Sequence, residues 1–282
     1  MKFGLFGINV GACADPETAT AVARAAEDAG FDSVWTGEHV VLPDPQVPPS
    51  PSAPDNPMLD PAVALSFIAA RTERIRLGTG IIILPQRNPV VLAKELASLD
   101  VLSGGRLIFG LGVGYLQPEF DALGVPFAER GPRATEYVEA IRALWTQPNP
   151  EYKGQFVQFG GIQAQPRPVQ KPHPPIIMGA NSPPAFRRTV RLGNGWFGFA
   201  LDVEAAERSI AALREAERGC DRAAELGPLE ISVTPPGRID ADSVRRYADL
   251  GVDRLIPLGF ARSKEVMIER VEEMGEALVR AS

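Results

Sequence analysis

The sequence predicts an α/β fold, a (β/α)8 barrel, and three observations carry that prediction. Strand-like and helix-like stretches alternate along the 282 residues with one interruption. The run IRLGTGIIIL at 75–84 is β-branched on both faces and nearly free of polar residues, which suits a strand covered on both sides. Turns with polar or glycine residues recur just after the strands, where the residues of a barrel meet at one face. A doubly wound open sheet is the alternative, but such sheets rarely keep so regular an alternation.

The first strand is expected at 3–8, with a loop to residue 14. Asp15-Pro16-Glu17 then has the order of a helix start: an N-cap acid, proline at the first helical position, and an acid in the first turn. This helix stops at Gly30. A second strand, 32–36, leads into Gly37-Glu38-His39 and a long proline-rich loop, 40–60, of the length that lids and binding loops have. Helix 61–71 precedes the glycine-interrupted strand, whose Gly78 and Gly80 mark a bulge or a close approach by backbone or ligand. Pro85-Gln86-Arg87-Asn88-Pro89 ends that strand and starts a helix at 90–102. Strand 106–113, a short helix near 117–123 and a strong helix at 133–145 follow.

Between residues 147 and 174 the rhythm breaks. Residues 152–159 have the pattern of a hairpin, and 165–175 is extended and studded with proline. This is an insertion between the fourth and fifth strands rather than a second domain, so 1–282 is expected to be one domain. Strand 175–179, helix 185–192, strand 196–200 and helix 203–222 resume the alternation. Strand 229–234, helix 241–250, strand 254–257 and helix 263–279 complete the eighth unit.

Composition narrows the function. The net charge of −6 argues against nucleic acid or an anionic membrane as a partner. The start is too short and too soon polar for a signal peptide, and no apolar run reaches a membrane span, so a cytoplasmic protein is expected. Cys13 and Cys220 have no disulfide or metal spacing. No His/Asp/Glu cluster has metal spacing, so no metal site is expected. No lysine ends a strand, which disfavours a Schiff-base aldolase. Gly110-x-Gly112-x-Gly114 lacks a third glycine at Tyr115 and fails as a dinucleotide fingerprint.

The residues placed after the strands are Asn9 and Cys13, Glu38 and His39, Gln86 and Arg87, the turn Gly112–Tyr115, Asn181 and Ser182, and Asp202. His39 suits proton transfer or a hydrogen bond to a cofactor edge, or it caps a loop. Glu38 beside it is the second candidate proton donor. His173, among prolines, is expected to be structural, and Cys13 to be a small buried residue rather than a reactive thiol. Gly179-Ala180-Asn181-Ser182 leads to a helix start with Ala185, where free amides and a hydroxyl would hold a phosphate or serve as a plain N-cap. Few acid–base groups beside a phosphate cradle and a lid suit a cofactor that brings its own chemistry.

Four segments carry a family resemblance: AGFDSVWTGEHV (29–40), the run from RIRLGTG to GLGVGY (74–115), PFAERGPR (126–133) and PPIIMGANSPPA (174–185). They resemble the luciferase-like flavin- and deazaflavin-dependent oxidoreductases, over nearly the whole chain. The resemblance implies a TIM barrel with insertions and, through GTGIIILPQRNP and the 129–133 segment, coenzyme F420 more than FMN. It further implies a cis peptide bulge at Gly80–Ile81 behind the cofactor ring, with Gly112 near it. His39 is then at the polar edge of the ring or at the substrate, and Gly179–Ser182 with Ala185 at the phosphate of the cofactor tail. Arg130 and Arg133 lie on the cofactor side or form a structural ion pair. The expected activity is hydride transfer between reduced F420 and a small organic substrate. An FMN-dependent monooxygenase and a non-catalytic flavin- or deazaflavin-binding protein are the alternatives, and a homodimer or higher oligomer is implied.

Overall fold

In the computed structural model, which describes residues 1–279, parallel strands close on themselves without a free edge. The chain runs β1 (Lys2–Phe6), α1 (Pro16–Asp28), β2 (Ser33–Thr36), α2 (Pro61–Ala69), β3 (Arg76–Thr79), β4 (Ile82–Ile83) and α3 (Pro89–Leu102). It continues through β5 (Leu107–Gly112), α4 (Gln117–Ala122), α5 (Arg130–Thr146), β6 (Tyr152–Lys153), β7 (Gln158–Phe159), β8 (Ile176–Gly179) and α6 (Pro183–Leu192). β9 (Gly195–Phe199), α7 (Val203–Arg218), β10 (Glu230–Thr234), α8 (Ala241–Asp249), β11 (Arg254–Leu255) and α9 (Lys264–Met274) complete it. Around the barrel the order is β1, β2, β3 with its continuation β4, β5, β8, β9, β10 and β11, which pairs back to β1. This is a (β/α)8 TIM barrel. The antiparallel β6–β7 hairpin stands outside it, in the insertion between the fourth and fifth staves.

Local chemistry explains the element boundaries. Asp15, Asp60 and Asn88 each cap a helix whose first residue is proline, accepting bonds from the free amides of the first turn. The expected helix at 133–145 begins earlier, at Arg130, and the expected helix at 203–222 ends at Arg218. The first strand ends at Phe6 rather than residue 8, because Gly7 turns the chain with a φ of +99°. The final α-helix gives way at Gly275 to a π-helical turn through Val279, and the last three residues of the expected 1–282 domain lie outside the described residues.

The barrel interior is packed around Trp35. Its indole lies parallel to the Phe197 ring, with centroids 5.7 Å apart, and Phe6, Ile108, Ile177 and Ile256 fill the rest. Its Nε1 donates to Ser33 Oγ at 2.9 Å. Gly78 faces this ring from the neighbouring strand, and a Cβ there would lie 2.4 Å from the indole. The expected strand glycines therefore have separate reasons. Gly78 makes room for Trp35, while Gly80 is the first residue of a cis peptide with Ile81 that divides the expected single strand into β3 and β4. Beneath Trp35 the fully buried Arg254 pairs with Asp32 and Glu230, and Lys2 reaches Glu230 at 2.8 Å, which closes the lower end of the barrel with charge. Replacing Gly78 by alanine should destabilise the fold by about 1–3 kcal/mol through overpacking. Thermal unfolding measures this, and an unchanged Tm would show that Trp35 has room to move.

Candidate active site

Strand alternation decides which residues reach the barrel mouth. Phe197 and Ile177 face inward, so Phe199 and Gly179, two residues further on, stand above them at the top of the same face. The same step leads from Trp35 to Gly37, from Gly78 to Gly80, and from Ile108 through Gly110 to Gly112. Four adjacent staves (β2, β3 with β4, β5 and β8) thus present glycine at the mouth. Ile81 lies in this gap: a Cβ on Gly112 would be 2.6 Å from Ile81 Cδ1, and one on Gly179 would be 3.7 Å from Ile81 Cγ2. Gly80, Ile81, Gly112 and Gly179 are therefore brought together as one apolar platform with a side chain only in its middle.

His39 stands at the rim of this platform, after β2. Its Nδ1 is 3.2 Å from Glu119 Oε2 and its Nε2 is 3.3 Å from the Tyr115 hydroxyl. The other Glu119 oxygen accepts from the Val40 amide. A carboxylate only accepts, so Nδ1 carries a proton, and in the neutral ring Nε2 accepts from the Tyr115 O–H. Burial, with the Glu119 charge adding to it, holds the Tyr115 phenol above its usual value and so keeps it a donor. Tyr115 ends the Gly112–Tyr115 turn expected at the mouth, whereas Glu119, buried on α4, was not a candidate from sequence. The only sequence signal was an acid in a short helix that follows a glycine-rich strand end.

Glu38 lies elsewhere. Its carboxylate is closed from solvent and accepts from the Ile83 amide and from Arg87 Nη2, which also reaches Asp60 Oδ2 at 2.6 Å. Burial pushes the Glu38 carboxyl up against the pull of Arg87. Burial also disfavours the charge on Arg87, but the two carboxylates outweigh it and raise the guanidinium. Glu38 thus ties the end of β4 to β2 and, through Arg87, to the N-cap of α2. Asn9 braces the same side: its side chain exchanges hydrogen bonds with Gly37 and donates to Leu59 O, which pins the end of the 40–60 loop beside the mouth. Both polar atoms of the Gln86 amide are buried without a partner next to these groups.

The turn from Gly179 through Ala180 and Asn181 to Ser182 enters α6 beside the platform. Ser182 makes no side-chain cap bond, and Pro183 and Pro184 have no N–H to give. The donors left for an anion are the amides of Asn181, Ser182 and Ala185 and the Ser182 hydroxyl. The remaining candidates are accounted for structurally. Cys13 is buried, its thiol pushed up to about 12 by burial and then by Asp15. His173 is buried, with Nδ1 2.8 Å from Pro174 O. Arg133 pairs with Glu129 at 2.7 Å and lies over the Phe156 ring, while Arg130 lies over Phe127 at 3.8 Å. The aromatic residues of the insertion dock the hairpin on α5, where Tyr152 donates to Glu139 at 2.7 Å.

A parallel barrel with a small-residue platform and a tethered histidine at its mouth is the scaffold of a barrel oxidoreductase. The model of the luciferase-like monooxygenase family matches residues 1–265, and the chain belongs to that family. An uncharacterised protein of Mycobacterium tuberculosis (strain ATCC 25618 / H37Rv) is 36% identical over 250 residues, covering 85% of this chain and 86% of the relative. The oxygenase component of a flavin-dependent trigonelline monooxygenase from Acinetobacter baylyi is 33% identical over 170 residues, 60% of this chain and 44% of that one. An F420-dependent secondary alcohol dehydrogenase, crystallised with an F420–acetone adduct, superposes with a TM-score of 0.79 over 100% of this chain and 99% of its own, at 16% identity. The monooxygenase RslO1 from Streptomyces bottropensis also gives 0.79, with the same coverage and 23% identity. The chain is an oxidoreductase of this family. Among the described residues no helix is long and apolar enough to cross a membrane.

Replacing Arg87 by methionine should cost about 3–5 kcal/mol at neutral pH, because Glu38 is left buried and unpaired. The deficit should shrink in mild acid, since a buried carboxyl with a raised pKa binds its proton in the folded state first. Urea unfolding at the two pH values tests this, and a pH-independent loss would contradict it.

Proposed function

We propose that this chain is an F420-dependent oxidoreductase that transfers hydride between the reduced deazaflavin and a small organic substrate, acting as one domain and as a homo-oligomer. The observation that carries the proposal is the pairing of a glycine-sided Ile81 platform with a histidine whose two ring nitrogens are both engaged. A low apolar surface accepts a planar ring, and the missing Cβ atoms of Gly112 and Gly179 let the Ile81 side chain lie between them instead of standing above its neighbours. Hydride chemistry is what bound deazaflavin supplies. The chain's own part is positioning and proton handling. His39 is the proton donor or acceptor at the substrate, through Nε2, with Tyr115 as the adjoining hydroxyl. Glu119 fixes the tautomer, and the Glu38 carboxylate, expected from its position to be a second proton donor, is taken up in holding the bulge at Ile83. Gly179–Ser182 and Ala185 take the phosphate of the cofactor tail, with fewer amides than a proline-free helix start would offer.

FMN with oxygen activation is the second reading, favoured by the similarity to the trigonelline monooxygenase. Titration of the apoprotein with F420 and with FMN, followed by fluorescence, separates the two. Binding of F420 with FMN excluded is the expected result, and tight binding of FMN with F420 excluded would replace the first reading with the second. His39→Asn should lower kcat by about a hundredfold or more while leaving F420 affinity largely unchanged. An unaltered kcat would remove His39 from the chemistry.

A further inference from the structure

The mouth has a second half that the cofactor reading does not use. Opposite the glycine staves, β9, β11 and β1 present bulk at the same level. Phe199 stands above Phe197, and Phe6 packs against Phe199 at 5.1 Å and edge-on to Phe260 at 5.9 Å. Leu258 continues this half, paired with Phe6. Phe6 itself is buried, seated against the glycine side, where a Cβ on Gly37 or Gly80 would lie 3.3 or 3.2 Å from its ring. The two rings beside it are not buried: Phe199 is 50% exposed and Phe260 40% exposed.

The backbone around each exposed ring is held by its neighbours. Gly7 leaves room for Phe260, since a Cβ there would be 2.4 Å from that ring, and Arg270 donates to the Phe260 carbonyl from α9. Phe199 is the last residue of a paired strand, in register with Thr234. Alternation requires Phe199 to point into the mouth, because Phe197 below it is in the barrel interior. Two exposed aromatic faces on either side of Phe6 are an unfavourable arrangement for an empty surface and a favourable one for an apolar ligand, and on its outer side Phe260 also borders a hollow lined by Ala261, Arg262, Val266 and Arg270.

We propose that Phe199 and Phe260, backed by Phe6, form the substrate wall of this enzyme, and that its organic substrate is a planar, largely apolar molecule rather than a compact anionic one. This rests on the cofactor occupying the glycine half. The wall then lies across the mouth from the Ile81 platform, so the apolar body of the substrate is held on the rings while its polar end faces the His39 side. Edge-to-face and stacked contacts with the two rings select flat ligands over branched ones.

Calorimetric titration of F420-loaded protein with acetonaphthone, a planar aryl ketone, and with dihydroxyacetone phosphate, a compact anionic ketone, tests the wall. The expected result is saturable acetonaphthone binding with a negative heat-capacity change and markedly weaker binding of the phosphate. Phe260→Ser and Phe199→Ser should each weaken acetonaphthone by about tenfold, with Phe260→Tyr close to the parent protein and F420 affinity unchanged throughout. Equal affinity of the serine variants and the parent would overturn the wall, as would preference for the phosphate compound. Loss of F420 binding in the parent protein would instead count against the cofactor reading, and the titration repeated on apoprotein still decides the wall.

Discussion

Trp35 takes the place on the barrel axis that several smaller side chains would otherwise share, and the residues around it follow from that. The neighbouring strands meet the indole with Gly4 and Gly78, where a Cβ would lie within 2.7 Å of it. Phe197 stacks on it from across the barrel, and Arg254 closes the space beneath, its guanidinium 5.6 Å from the indole ring. A large ring in a close-packed interior leaves no freedom to move bulk between layers. The layer above is therefore where the barrel differs from one side to the other, and that layer is the mouth.

The asymmetry of this upper layer gives the site its division of labour. Glycines on four adjacent staves leave an open crescent with Ile81 in it, and phenylalanines on the opposite staves make a wall. The polar chemistry stands on the rim of the crescent, after β2 and β5, where Glu119, His39 and Tyr115 form a hydrogen-bonded row. Beside it Arg87 is shared between the carboxylates of Glu38 and Asp60. One imidazole is thus left with a nitrogen turned to a phenolic hydroxyl. Such a site suits a cofactor that brings the difficult electron chemistry with it.

Much of the fold was legible because its signals are local. Alternation, the caps at Asp15, Asp60 and Asn88, and the glycine interruption before Ile81 each depend on a few neighbouring residues. The place of His39 after β2 was legible from the residues themselves, and the Gly80–Ile81 cis bond through the family resemblance. What was missed depends on distance in the chain. Glu119 meets His39 across 80 residues, and the Phe6, Phe199 and Phe260 cluster is assembled from β1, β9 and the segment after β11, which come together only once the barrel has closed. Glu38 was read as an acid–base group because its type and position allowed it. Only the tertiary structure shows that Arg87 and the Ile83 amide already use its carboxylate. Gly78 signalled a bulge or a close approach by backbone or ligand, and its neighbour is instead the side chain of Trp35, one strand away.

The most direct test of this account is a crystal structure of the protein with F420 bound. The account predicts the deazaflavin ring in van der Waals contact with Ile81 over Gly112 and Gly179, His39 at its edge, and the Phe199 and Phe260 rings still uncovered. A ring stacked instead on Phe199 or Phe260, with the Ile81 platform open to water, would contradict it.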